Sequence, residues 1–200
     1  MKVLLFGHSY VNNLRSLGGW DRSLSLSNGH KLDLEFAFHS RPGKDYNFFN
    51  NNPDDFNRIT DVNPDILVCI VGGNLIVESV SDDQLRQEAL KFYNNIKEVV
   101  SPNCKVLATQ VEPRYAAEGN RFGTPQIEQY NKKRQLINNF VNKSLRKSRH
   151  LVDHIVLLGS INLFSADKFK HDGVHLKLEG LQMYQEIVIN AIKYALEKSQ

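Results

Sequence analysis

Six consecutive apolar residues, Ile66 to Val71 (ILVCIV), constrain this chain more than any other stretch. Continuous, β-branched apolar character over so short a run is what a parallel strand needs when helices cover both of its faces. The run ends at Gly72-Gly73-Asn74. A second apolar run, Met1 to Phe6 (MKVLLF), breaks at Gly7-His8-Ser9, and a mixed polar and apolar stretch follows to Leu17. That order predicts a buried strand turning sharply into a helix. Lys31 to Phe38 alternates polar and apolar residues, as a half-exposed strand does, and closes at Arg41-Pro42-Gly43. Lys105 to Val111 and His154 to Leu158 supply a fourth and a fifth strand.

Helical periodicity fills the intervals. Leu85, Ala89, Phe92, Ile96 and Val99 share one face of a helix over Ser81–Val100, with Ser81 as its cap and Pro102 beyond its end. Pro125 to Arg149 reads as a long helix capped by Thr124. Lys177 to Leu196 reads as a closing helix with Leu178, Leu181, Tyr184, Val188, Ile192 and Ala195 on one stripe. Pro53 to Ile59 reads as a short helix with Pro at its first position. The Ser-rich segment between Trp20 and Gly29 and the Asn-rich segment Tyr46–Asn52 read as loops. Strands and helices alternating in this way predict a three-layer α/β domain with a five-stranded parallel sheet. The expected order runs from the second predicted strand through the first to the third, fourth and fifth. With no repeat and no interdomain linker, residues 1–200 read as one domain.

Composition narrows the setting. No apolar run approaches membrane-spanning length, and the opening strand leaves no room for a signal peptide. Cys69 and Cys104 both lie in or beside apolar, strand-like runs, which predicts buried, reduced thiols in an intracellular, cytoplasmic protein rather than a disulfide framework. A formal net charge of +3 is too small to imply a polyanionic partner by itself.

In open parallel sheets, sites form beyond the carboxyl ends of the strands. Four clusters of suitable chemistry fall there: Gly7-His8-Ser9, Gly43, Gly72-Gly73-Asn74, and the turn Asp172-Gly173-Val174-His175. Taken singly, Ser9 reads as a helix cap, Gly43 and Asn74 as turn residues, and His175 as a surface histidine. Taken together they are complementary. A serine hydroxyl needs a base, which His175 can supply. Asp172 can hold the imidazole in the right tautomer. The N–H groups of Ser9 and Gly43 and the amide of Asn74 can surround a developing oxyanion.

The blocks FGHS (Phe6–Ser9), RPGKD (Arg41–Asp45), VGGN (Val71–Asn74) and DGVHL (Asp172–Leu176) resemble, in order, the four blocks of the SGNH (GDSL-type) hydrolases. The resemblance spans nearly the whole chain. It implies a flavodoxin-like fold and a Ser9–His175–Asp172 triad. It also implies an oxyanion hole from Ser9, Gly43 and Asn74, and metal-free ester hydrolysis without a cofactor. His8 and Leu75 depart from the family pattern, which usually has Asp before the nucleophile and often has Asp after the block-three Asn. They keep alive an alternative, a catalytically weak or silent binding module of the same fold. The GHS variant, Tyr130–Leu145 and Asp172–Tyr184 are similar to the esterase-like domains of retrotransposons.

Two further features carry expectations. Histidine pairs at 150/154 and 171/175, with Asp153 and Asp172 nearby, suggest zinc, but on a strand that spacing separates the rings too far to share an ion. On the helix Pro125–Arg149, Ile127, Tyr130, Ile137, Val141 and Leu145 share one face. Lys132, Lys143, Arg146 and Lys147 collect on the other, either as a solvated surface or as a contact for nucleic acid or an anionic membrane. The loops Phe38–Asn52 and Glu112–Gly123 are expected to line the pocket.

Overall fold

The computed structural model describes residues 1–77, 79–115, 124–147, 155–158 and 165–198. Its first strand, β1 (Lys2–Gly7), lies inside the sheet and leads directly into α1 (Ser9–Arg15). The order then runs β2 (Arg22–Ser25), β3 (Lys31–Ser40), α2 (Tyr46–Asn50), α3 (Asp54–Val62) and β4 (Ile66–Ile70). It continues through α4 (Asp82–Val99), β5 (Lys105–Thr109), α5 (Thr124–Lys147), β6 (Ile155–Leu158) and α6 (Leu178–Glu197).

The sheet order is β2-β3-β1-β4-β5-β6. Five strands, β3 through β6, are parallel in the expected order. The addition is β2, which runs antiparallel along the outer edge of β3, pairing Arg22 with Leu34 and Ser25 with Lys31. Its sequence, RSLS, buries one side chain, Leu24, and so carries almost no hydrophobic signal. What fixes β2 is its surroundings. Trp20 packs on Phe36 and Phe38 in the second half of β3, and its indole N–H donates to the Leu14 carbonyl at 2.8 Å.

The inner strands β1 and β4 are buried on both faces, and their alternation shows it. Leu4 and Phe6 of β1 and Leu67 and Cys69 of β4 belong to the core under α2, α3, α4 and α5. Val3 and Leu5, with Ile66, Val68 and Ile70, belong to the opposite core under α1 and α6. This is why the runs at 3–6 and 66–71 are apolar at every position. Phe6 sits at the centre of the first core, 4.9 Å from the Phe49 ring and 5.9 Å from Phe56.

Some local expectations are corrected. Tyr46–Asn50 is a helix rather than a loop. Asp45 caps it by accepting the Phe48 N–H at 2.9 Å, and the buried Asn50 donates to Glu88 on α4. The helix read as Pro53–Ile59 extends to Val62 and closes on Asn63 in a left-handed conformation. Ser81 does cap α4, accepting from the Gln84 N–H at 3.1 Å. On α6 the stripe is buried except for Leu178, which is 64% exposed at the helix start. Among the described residues, no helix is long and apolar enough to cross a membrane.

Candidate active site

The site begins with strand register. Gly7, at the end of β1, pairs with Ser40 on β3 and with Ile70 on β4, so three adjacent strands release their loops at one level. The turn after β1 is tied to both neighbours. The His8 N–H donates to the Ile70 carbonyl at 3.1 Å, and the Arg41 N–H donates to the Gly7 carbonyl at 2.8 Å. The Ser40 hydroxyl donates to the His8 carbonyl at 2.9 Å. A Cβ at Gly7 would fall on the Ile70 carbonyl oxygen, so only glycine permits this approach.

His8 occupies the position before the serine, where the resemblance expects Asp, and takes over the capping task. Its Nδ1 accepts the Tyr10 N–H at 3.4 Å. Burial, reinforced by the charges of Arg114 and His175, pushes its pKa down to about 4. The imidazole is therefore neutral at pH 7, which suits the positive end of a helix. Leu75, at the other departure, is buried among apolar neighbours.

Ser9 is the first residue of α1 and is half-buried. Its Oγ lies 3.4 Å from His175 Nε2. On the far side of the ring, His175 Nδ1 meets Asp172 Oδ2 at 2.6 Å. A carboxylate can only accept, so Nδ1 carries the proton and Nε2 faces Ser9 as the acceptor. The Asp172–His175 turn builds itself. Asp172 Oδ1 accepts the N–H groups of Val174 and His175 at 2.9 and 2.8 Å. Partial burial would raise the Asp172 carboxyl, but the hydrogen bonds from His175 and Val174 outweigh it and hold the pKa below its usual value. Gly173 adopts φ +64°, and a Cβ there would fall on the Tyr115 carbonyl oxygen. Together these contacts account for the Asp-Gly-x-His pattern.

Ser9 and His175 open onto a cleft of about 290 Å³ that Gly43 and Asn74 also line. The structure thus brings four of the five expected residues to one cavity, with Asp172 behind the imidazole. The Asn74 amide donates to the Lys44 carbonyl at 3.1 Å, and its NH₂ group has a second hydrogen to offer. Of the loops expected at the pocket, Pro42 and Gly43 represent the first, and Glu112, Pro113 and Arg114 the second. Residues 116–123 lie outside the described residues.

Tyr10 and Tyr130 also line the cleft beside Glu112 and Arg114, and the sequence assigned none of the four an individual role. The strand-end rule that found Asn74 placed Glu112-Pro113-Arg114, just past β5, at the pocket as part of a loop, but it does not reach Tyr10 and Tyr130, which lie on helices. The Arg114 guanidinium stacks 4.2 Å above the Tyr130 ring and donates to the Gly73 carbonyl at 3.3 Å, beside Asn74. Glu112 is 5% exposed and accepts the Tyr184 hydroxyl at 2.9 Å. Burial raises its carboxyl to about 7, against the opposing pull of the Tyr184 hydrogen bond and of Arg134 and Arg114.

Among the described residues, no group of three or more His, Cys, Asp or Glu is placed to hold a metal ion. His150, Asp153 and His154 lie outside them. Cys69 and Cys104 are free thiols, and burial pushes both pKa values up, that of Cys104 to about 12. On α5, Ile127, Tyr130, Ile137 and Val141 are buried, and Lys132 and Lys143 are exposed on the other face. The side chains of Leu145, Arg146 and Lys147 lie outside the described residues.

No family model matches the chain, and no curated protein does. Solved structures do match. A carbohydrate esterase family 3 protein from Talaromyces cellulolyticus is 16% identical, with 100% of this chain and 99% of that one covered and a TM-score of 0.67. An acetyl esterase, solved as a serine-to-alanine mutant with an acetate ion, is 15% identical with full coverage of both chains and a TM-score of 0.66. A lipase/acylhydrolase from Enterococcus faecalis is 15% identical over 96% of this chain and 95% of that one, with a TM-score of 0.60. The fold is therefore the one shared by GDSL-type lipases, acylhydrolases and these carbohydrate esterases.

Proposed function

We propose that this protein is a serine esterase that hydrolyses small acyl or acetyl esters. The observation that carries the reading is the unbroken line from Ser9 Oγ through the His175 ring to Asp172, at a cleft shared with Gly43 and Asn74. The cleft volume, at the small end for ligand pockets, favours a short acyl group.

In this reading Ser9 Oγ attacks the ester carbonyl and its proton passes to His175 Nε2. Asp172 stabilises the imidazolium. The N–H groups of Ser9 and Gly43 and the Asn74 amide receive the oxyanion. Collapse breaks the bond to the alcohol, which leaves with the proton from Nε2. Water, deprotonated by the same nitrogen, then releases the acid and frees Ser9. His8 takes no part in proton transfer; it holds the start of α1 and keeps Ser9 aimed at the cleft.

A fluorophosphonate should form a covalent adduct on Ser9, and Ser9→Ala should abolish both the adduct and turnover of p-nitrophenyl acetate in a folded sample. Undiminished turnover by folded Ser9→Ala would overturn the triad. Absence of adduct and turnover in the unaltered protein would favour the silent binding module. A separate proposal concerns Lys132, Lys143, Arg146 and Lys147. The exposure of the first two on one stripe supports a contact with nucleic acid or anionic membrane. Such binding must weaken steeply with salt. No binding to single-stranded RNA or anionic vesicles at low salt would leave a solvated face.

A further inference from the structure

We infer that Tyr10 is a positioning residue that sets the distance between nucleophile and base, an inference resting on the reading of Ser9, His175 and Asp172 as a triad. Tyr10 follows Ser9 directly on α1 and is 3% exposed. Its hydroxyl donates to the Val174 carbonyl at 2.5 Å, one residue before His175. Its ring stacks on the His175 imidazole with centroids 6.3 Å apart, and packs on Tyr184 at 5.8 Å. A single side chain, fixed beside the nucleophile, thus holds the backbone that carries the base and also backs its ring.

The need for such a tie follows from the topology. Ser9 and His175 are 166 residues apart and sit on separate segments. The hydrogen bonds between Asp172 and the Val174 and His175 groups shape the turn internally and do not reach α1. Lys170 N–H to His175 O at 2.6 Å and the Phe169–Leu176 bridge are likewise internal to that segment. Tyr115, whose N–H donates to the Gly173 carbonyl, ties the turn to the segment after β5, not to α1. The Tyr10 hydroxyl reaches from the nucleophile's own helix. An ordinary core tyrosine would only need its ring buried, which phenylalanine satisfies equally, so the hydroxyl is what distinguishes the two roles.

Tyr10→Phe keeps the ring and removes that bond. We expect kcat for p-nitrophenyl acetate to fall roughly five- to tenfold with KM nearly unchanged, the loss of one hydrogen bond expressed in the positioned state. Proton NMR gives a readout independent of turnover. The His175 Nδ1–H held by Asp172 should appear far downfield, identified by its loss in His175→Ala. In Tyr10→Phe it should broaden or move upfield, while the His39 proton bonded to Asp55 at 2.8 Å serves as an unmoved control. An unchanged His175 resonance in Tyr10→Phe would overturn the positioning role, whatever the activity. An inactive parent protein whose resonance still responds to Tyr10→Phe would leave the tie standing and remove only the esterase reading.

Discussion

Replacing His8 by Asn should tilt a pH–stability profile that two buried groups otherwise keep nearly level. His8 has its pKa lowered to about 4 and Glu112 has its own raised to about 7. Unfolded, the imidazole binds its proton near pH 6.5 and the carboxyl near 4.3. Between pH 4.5 and 6.5 the unfolded chain therefore carries a proton at residue 8 that the folded chain lacks. The folded chain carries one at residue 112 that the unfolded chain lacks. The His8 contribution is full above pH 6.5 and is lost as pH falls towards 4. The Glu112 contribution is full below about pH 4.3 and is lost as pH rises through 7. Each group by itself changes stability by about 1.4 kcal/mol per pH unit, or about 3 kcal/mol over its range, with opposite signs. His8→Asn retains a capping oxygen for the Tyr10 N–H and leaves Glu112 unopposed. Relative to the unaltered protein, its stability should fall by about 3 kcal/mol from pH 4.5 to 6.5. Glu112→Gln should rise by a similar amount, and the double variant should be level again. Urea unfolding followed by circular dichroism at pH 4.5, 5.5 and 6.5 measures all four slopes. If both single variants keep the parent's slope, neither group is buried in the protonation state argued here.

Asn74→Ala should lower kcat by roughly 100- to 1,000-fold with a smaller change in KM, the usual loss for one oxyanion donor, read from steady-state kinetics on p-nitrophenyl acetate. Gly7→Ala should lower the urea midpoint sharply, because its methyl would meet the Ile70 carbonyl; a midpoint equal to the parent's would show that β1 and β4 can part at no cost. Asp172→Asn should reduce kcat less than His175→Ala, since Asp172 orients and stabilises charge whereas His175 moves the proton. The reverse order would mean the two roles are exchanged.

The parallel sheet was legible because burial on both faces leaves a continuous apolar signature, as at Ile66–Ile70, that no surface element imitates. The candidate site was legible because its residues stand at strand ends, where glycine and polar side chains interrupt that signature. β2 was not legible, since it holds its place through Trp20 and Phe36 rather than through its own residues. Helix α2 was obscured by the four asparagines of Tyr46–Asn52, whose turn-forming tendency outweighed the cap that Asp45 supplies. The individual roles of Tyr10 and Glu112 were hidden for a different reason. Their importance lies in partners far along the chain, Val174 and Tyr184, and spacing along a sequence does not reveal a hydrogen bond across the fold.

Of the strands in this sheet, β1 is made first although it lies inside, and this has a consequence during synthesis. At about 5–20 residues per second, the 166 residues between Ser9 and His175 take roughly ten to thirty seconds to emerge. Until Val188, Ile189 and Ile192 follow, Val3 and Leu5, and Val68 once it is made, lack the cover of the core they share with them. A ribosome-bound chain of this protein therefore exposes an adhesive apolar face until its last helix is free. Truncation before α6 should yield insoluble or chaperone-bound protein rather than a smaller folded unit.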